Sequence, residues 1–107
     1  MRWIVQTLNA VVDAEIKALP GDMQAKFLRY ADIIEQSGFE GLRHDAVRQL
    51  EGKLWELRMT GRDGISRAIY VTAAGLRVVV VRAFIKKTQK TPRHELEIAR
   101  QRAKEVI

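Results

Sequence analysis

The chain has 107 residues, a formal net charge of +6 and no cysteine, and 47% of its residues are apolar. That length supports a single modest core. The missing cysteines exclude disulfides, thiolate nucleophiles and cysteine-based zinc sites, and no run of the sequence approaches the roughly 18 apolar residues of a membrane-spanning helix.

The opening residues, MRWIVQTLNAVVDAEIK, carry Asp13 and Glu15 and do not read as a signal peptide. The expectation is one soluble domain over residues 1–107, in a reducing cytoplasm. In chain order, RWIVQTL is short and rich in β-formers and predicts a first strand. Asn9 is placed to cap a helix in which Val12, Ile16 and Leu19 recur at helical spacing, before Pro20 and Gly21 stop it. A second helix follows over DMQAKFLRYADIIEQSG, with Asp22 as its cap and Gly38 as its end. Met23, Phe27, Tyr30, Ala31 and Ile34 fall on one of its faces.

From Lys53 the period changes from 3.6 to 2. KLWELRM, ISRAIYV and LRVVVVRAFI, separated by TGRDG and TAAG, predict three antiparallel strands joined as hairpins. The chain closes with a helix in TPRHELEIARQRAKEVI. Thr91 is its expected cap, Pro92 suits its first turn, and Leu96, Ala99, Ala103 and Val106 form its apolar stripe. His94 stands where a capping box would need an acid. The expected fold class is α+β: an N-terminal strand and helical hairpin packed on an antiparallel sheet, with a C-terminal helix.

Charge is concentrated in the strand-rich part. Residues 1–50 carry 6 Lys and Arg against 7 Asp and Glu, whereas residues 51–107 carry 13 against 6. Such asymmetry suits a polyanion partner, nucleic acid first, although an acidic protein would fit it as well. Strand alternation sharpens this, because residues two apart share a face. Leu54, Glu56 and Arg58 point one way in the first of the three strands; Arg67, Ile69 and Val71 share a face in the next; Val78, Val80, Arg82 and Phe84 share one in the last. Each strand thus brings one arginine, Arg58, Arg67 or Arg82, to a common face. Lys86, Lys87, Lys90 and Arg93 follow within eight residues, with no acid among them.

A like-charge run is ordinarily a solvated loop. Joined to three arginines on one sheet face, it makes a candidate phosphate site, since guanidinium forks match phosphate oxygens and lysine adds a point charge. Preorganised against a phosphodiester, such cations would stabilise a pentavalent transition state. Phe84 and Tyr70 are candidates for stacking on bases, with the core as their commoner place. His44 and His94 lack metal-ligand spacing, and neither a Gly-rich phosphate loop nor a Ser/His/Asp set is present, so no metal or cofactor is expected.

LEGKLWELR, then SRAIY, an apolar strand, and FIKKTQKTP before a helix reading ELEIARQRA resemble the RelE/HigB-like toxins of type II toxin–antitoxin modules, in particular the phage-type HigB branch. The resemblance covers residues 50 to 105 in detail. It implies a RelE/ParE-like α/β fold, cleavage of messenger RNA on the translating ribosome, and neutralisation by a cognate antitoxin, a helix-turn-helix protein of the HigA kind. Residue by residue, it places Arg58 at the arginine of WELR, Arg67 at that of the next strand, and Lys86 and Lys87 at the paired lysines.

The chain departs from the pattern at Arg82, where relatives often carry histidine. Its end, AKEVI, also lacks the tyrosine or histidine of several ribosome-dependent toxins. The general acid and base therefore stay unassigned. Lys86 or Lys87 would suit proton transfer, because crowding by like charge lowers a lysine's pKa. Glu56 competes as base, or orients Arg58 or Arg67, while Lys90, Arg93 and Phe84 would hold flanking RNA. Two other readings fit the charge: a toxin of the same fold that poisons a target such as gyrase by binding, and a basic domain that docks an acidic partner without catalysis.

Overall fold

A computed structural model describes residues 2–86 and 90–106. Strand β1 (Ile4–Thr7) leads into helix α1 (Ala10–Lys17) and helix α2 (Gly21–Ser37), followed by two short 3-10 turns, Phe39–Gly41 and His44–Ala46. Strands β2 (Val47–Glu51), β3 (Leu54–Gly61), β4 (Gly64–Ala73) and β5 (Arg77–Lys86) come next, and helix α3 (Arg93–Ala103) closes the chain. The five strands form one sheet in the order β1-β5-β4-β3-β2.

The expected elements are present, with two corrections. The first strand does not pack on the sheet but joins it, parallel to β5, while every other pairing is antiparallel. A further strand, β2, pairs with β3 at the far edge. Its residues VRQLE have no clean apolar alternation, because an edge strand interrupted by a register shift at Gln49/Glu51 presents little to the core.

Helix ends follow local chemistry. Asn9 caps α1 by accepting the Val12 N–H at 3.1 Å. Asp22, expected as a cap, lies inside α2, whose N-cap is Pro20, and instead accepts the Arg62 N–H of the β3–β4 turn at 2.8 Å. Gly38 ends α2 at φ 75°, where its N–H reaches the Ile34 carbonyl.

Two apolar layers cover the two faces of the sheet. On one, Val12 of α1 and Met23, Phe27 and Ile34 of α2 pack against Leu57, Met59, Ala68, Tyr70, Val78, Val80 and Ala83. On the other, Ala99 and Ala103 of α3 pack against Leu54, Ile69, Val71, Val79, Val81 and Phe84. Strict alternation along β5 fails here. Ile69 pairs with Arg82 but Tyr70 with Val80, so Val81 is an extra residue in a bulge. Val78 and Val80 consequently face α1 and α2, while Arg82 and Phe84 turn to the α3 side.

Candidate functional site

On the α3 side of the sheet, the strand register stacks residues in rows. Glu56, Ile69 and Arg82 form one row, Arg58, Arg67 and Phe84 the next, and Thr60, Ile65 and Lys86 the last. The sheet is apolar where α3 covers it and charged near the helix's first turn. The three arginines do share this face, but it is not an open one, because α3 packs over it.

Arg67 is wholly buried, as is Glu56. Its Nη1 donates to Glu56 Oε2 at 2.9 Å and to Thr91 Oγ1 at 3.1 Å, and the Thr91 hydroxyl donates to Glu56 Oε1 at 2.8 Å. The three side chains close a ring of hydrogen bonds. Burial presses the Arg67 guanidinium below its ordinary pKa and Glu56 opposes that shift, but an arginine so paired stays charged. Arg58 lies alongside with its Nε 3.9 Å from Glu56 Oε2, and its side chain is 21% exposed. Thr91 thus spends its hydroxyl on the buried pair instead of capping α3, whose N-cap is Pro92 without a side-chain bond.

Arg82 corrects the picture of a three-arginine clamp. Its Nε and Nη2 donate to Glu95 at 2.6 and 3.2 Å, and its Nη1 donates to Glu15 at 2.8 Å. Those hydrogen bonds to Glu95 raise its pKa, against the effect of burial, and Glu15 adds to the rise. Arg102 completes the network by donating to Glu15 at 2.9 Å and to the Val81 carbonyl at 2.8 Å. Ion pairs therefore bind α1, β5 and α3 together, and the Arg82 guanidinium faces carboxylates rather than a phosphate cavity. Phe84, a candidate for stacking on a base, is buried in the α3 layer with the Arg82 guanidinium 5.9 Å from its ring centre. Tyr70 is likewise core, stacked on Phe39.

The open part of the site is a cleft of about 740 Å³ beside the N-terminus of α3. Lys86, Lys90, Arg93 and Arg100 line it together with Thr91, while Glu51 and Glu97 are its acids. Glu51 lies 3.6 Å from Arg100, an exposed pairing that water weakens. The cation run thus lines a cavity whose wall includes the residue bonded to Arg67 and Glu56. Lys87, the other candidate for proton transfer, lies outside the described residues. His94 is exposed, 3.5 Å from Glu95. Among the described residues no three His, Asp or Glu side chains are grouped so as to hold a metal ion, and no helix is long and apolar enough to cross a membrane.

Four participants escaped the sequence: Glu15, Glu95, Arg102 and the hydroxyl role of Thr91. Glu95 stands in a helix that mixes Glu97 with Arg93, Arg100 and Arg102, a pattern that a solvated face supplies equally.

Comparison with known proteins agrees with this architecture. Residues 14–104 match the family described as Phage derived protein Gp49-like (DUF891). The fold is similar to that of a variant of the E. coli toxin RelE in the free state, at 13% identity over 100% of both chains with a TM-score of 0.62. It is also similar to a chain of the archaeal RelE-RelB complex from Pyrococcus horikoshii, at 25% identity over 79% of this chain and 96% of that one, with a TM-score of 0.57. No curated protein matches the chain. With the family matched over most of its length and the sheet and helices in the RelE arrangement, the chain belongs to the phage-derived Gp49-like family, a family of RelE-like toxins.

Proposed function

We propose that this protein is the toxin of a type II toxin–antitoxin module, of the HigB kind, and that it cleaves translated messenger RNA on the ribosome without a metal ion. The observation that carries the reading is the convergence of Lys86, Lys90 and Arg93 on one cleft, with Thr91 linking that cleft to the buried Arg67–Glu56 pair. RNA supplies its own nucleophile, so the protein has to deprotonate a 2′-hydroxyl, hold the phosphate in line and protonate the 5′ leaving oxygen.

Arg58 and Lys86 contact the scissile phosphate in this reading, with Lys90 and Arg93 on flanking phosphates. Arg67 acts from beneath, and Glu56, buried and doubly bonded, orients it. Proton transfer falls to Lys86 or Lys87. Arg82 serves by fixing α3 against the sheet, which removes it from direct phosphate contact.

The neutralising partner is an antitoxin, a helix-turn-helix protein of the HigA kind, which presents acidic residues to the basic half of the chain. The RelE-RelB complex among the similar structures supports an antitoxin partner. The test is to induce the chain in a bacterium and map new 5′ ends on translated messages, then to repeat cleavage on purified translating ribosomes with EDTA added after magnesium has been replaced by a polyamine that keeps the ribosome intact. New ends within reading frames and chelator-insensitive cutting are expected. Unchanged message ends together with DNA-damage signalling would overturn the reading in favour of a non-RNA target.

A further inference from the structure

We infer that Thr91 is a positioning residue of the cleavage site, whose hydroxyl sets the Arg67–Glu56 pair and ties the start of α3, with Lys90 and Arg93 on either side of it, to the sheet. The inference rests on the proposed ribonuclease reading and extends it to a further residue of the cleft.

Three observations converge on it. Thr91 Oγ1 both accepts from Arg67 Nη1 at 3.1 Å and donates to Glu56 Oε1 at 2.8 Å, so one hydroxyl closes a ring with two groups that are wholly buried. It is separated from both by sequence, 24 residues from Arg67 and 35 from Glu56, so it is a tertiary clasp and not a local turn contact. Thr91 also lines the cleft, together with Lys86, Lys90 and Arg93.

A helix-capping threonine would have spent its hydroxyl on a backbone N–H of α3; Pro92 takes the N-cap place without any side-chain bond. The hydroxyl is therefore available to the sheet. Fixing it there fixes the backbone that carries Lys90 and Arg93 against a rigid floor, which is what an in-line displacement needs from groups that do not themselves react. The same hydroxyl supplies a donor to the second oxygen of the buried Glu56 carboxylate, Oε1.

The test compares Thr91→Val, which keeps the shape and removes the hydroxyl, with Thr91→Ser, which keeps the hydroxyl. Steady-state cleavage of a defined message on translating ribosomes gives kcat and KM separately, and thermal unfolding gives the folded fraction. The valine variant is expected to lose kcat by roughly 10²-fold with KM within about twofold of wild type, and serine is expected to restore most of it. A structural role alone would lower the unfolding temperature and leave kcat per folded molecule unchanged, and that result would overturn the inference. So would a faster valine variant, which would make the hydroxyl a cover over Arg67 instead of a support. If valine prevents folding, Thr91→Ala replaces it with the same expectations; failure of both to fold would make Thr91 a determinant of the fold and overturn the inference too. Wild-type protein that cuts no translated message defeats the ribonuclease reading; wild type and valine cutting equally defeat only the role of Thr91.

Discussion

Glu56 and Arg67 are diagonal neighbours on adjacent strands, with Oε2 and Nη1 2.9 Å apart and neither side chain exposed. A buried pair of this kind is costly to break, because the survivor keeps its desolvation cost without its partner. Glu56→Ala is expected to destabilise the protein by about 3–5 kcal/mol, whereas replacing both with Leu at Glu56 and Met at Arg67 should cost much less. Equilibrium urea unfolding of the two variants checks this. Equal losses would mean that the pair is not the source. Arg67→Ala for the same reason lowers stability as well as activity, so it cannot serve alone as a probe of chemistry.

Arg58 is the cleaner probe. Its side chain is partly exposed, with its Nε 3.9 Å from Glu56 Oε2, so Arg58→Ala should cost less stability than breaking the wholly buried Glu56–Arg67 pair. Its loss from the transition state should lower cleavage by roughly 10²–10³-fold. Paired measurements of the urea midpoint and of single-turnover cleavage decide it, and full activity at unchanged stability would remove Arg58 from the site.

The cations of the cleft make a separate, salt-dependent prediction. Lys86→Ala, Lys90→Ala and Arg93→Ala should each weaken binding to single-stranded RNA and reduce the slope of log K against log salt by about 0.7 per lost phosphate contact. Fluorescence anisotropy across a salt series measures the slope. A variant that weakens binding without changing the slope has lost packing and not a phosphate contact.

Arg82 should behave as a fastener. A double-mutant cycle between Arg82→Gln and Glu95→Gln is expected to show a coupling of about 0.5–3 kcal/mol, since Arg82 makes two of its three bonds to that carboxylate. Hydrogen exchange of the α3 amides should quicken in Arg82→Gln, and cleavage should fall only in proportion to the loss of folded protein. A large fall in activity per folded molecule would return Arg82 to the phosphate.

Acid stability has one identifiable contributor on the surface. The Arg62 backbone N–H lowers the Asp22 pKa from its ordinary 3.8, with burial opposing. The folded protein therefore favours the carboxylate. The stabilisation is present above the unfolded value, near 3.8, and is lost as pH falls through the lower folded value. Asp22→Asn should remove that part of the dependence, so that its stability differs from wild type at pH 6 and approaches it at pH 2. Unfolding at both pH values tests this, and a constant difference would exclude Asp22 titration.

The helices and every strand except β2 were legible because their signals are local: Asn9 as a cap, Gly38 as a stop, Met23, Phe27 and Ile34 one and then two turns apart, and Leu54, Glu56 and Arg58 alternating along β3. The cation run was equally plain in the chain and does line the cleft, apart from Lys87 outside the described residues. What each charged group does was not local. The β5 bulge decides which side Arg82 takes, α3 decides that the arginine face is covered, and Glu15 meets Arg82 across 67 residues of chain. Alternation reports the side of a strand a residue occupies, but a guanidinium's choice between carboxylate and phosphate depends on which acids the packing brings within 3 Å. That choice is a property of distances between segments remote in sequence, and only the tertiary structure made it.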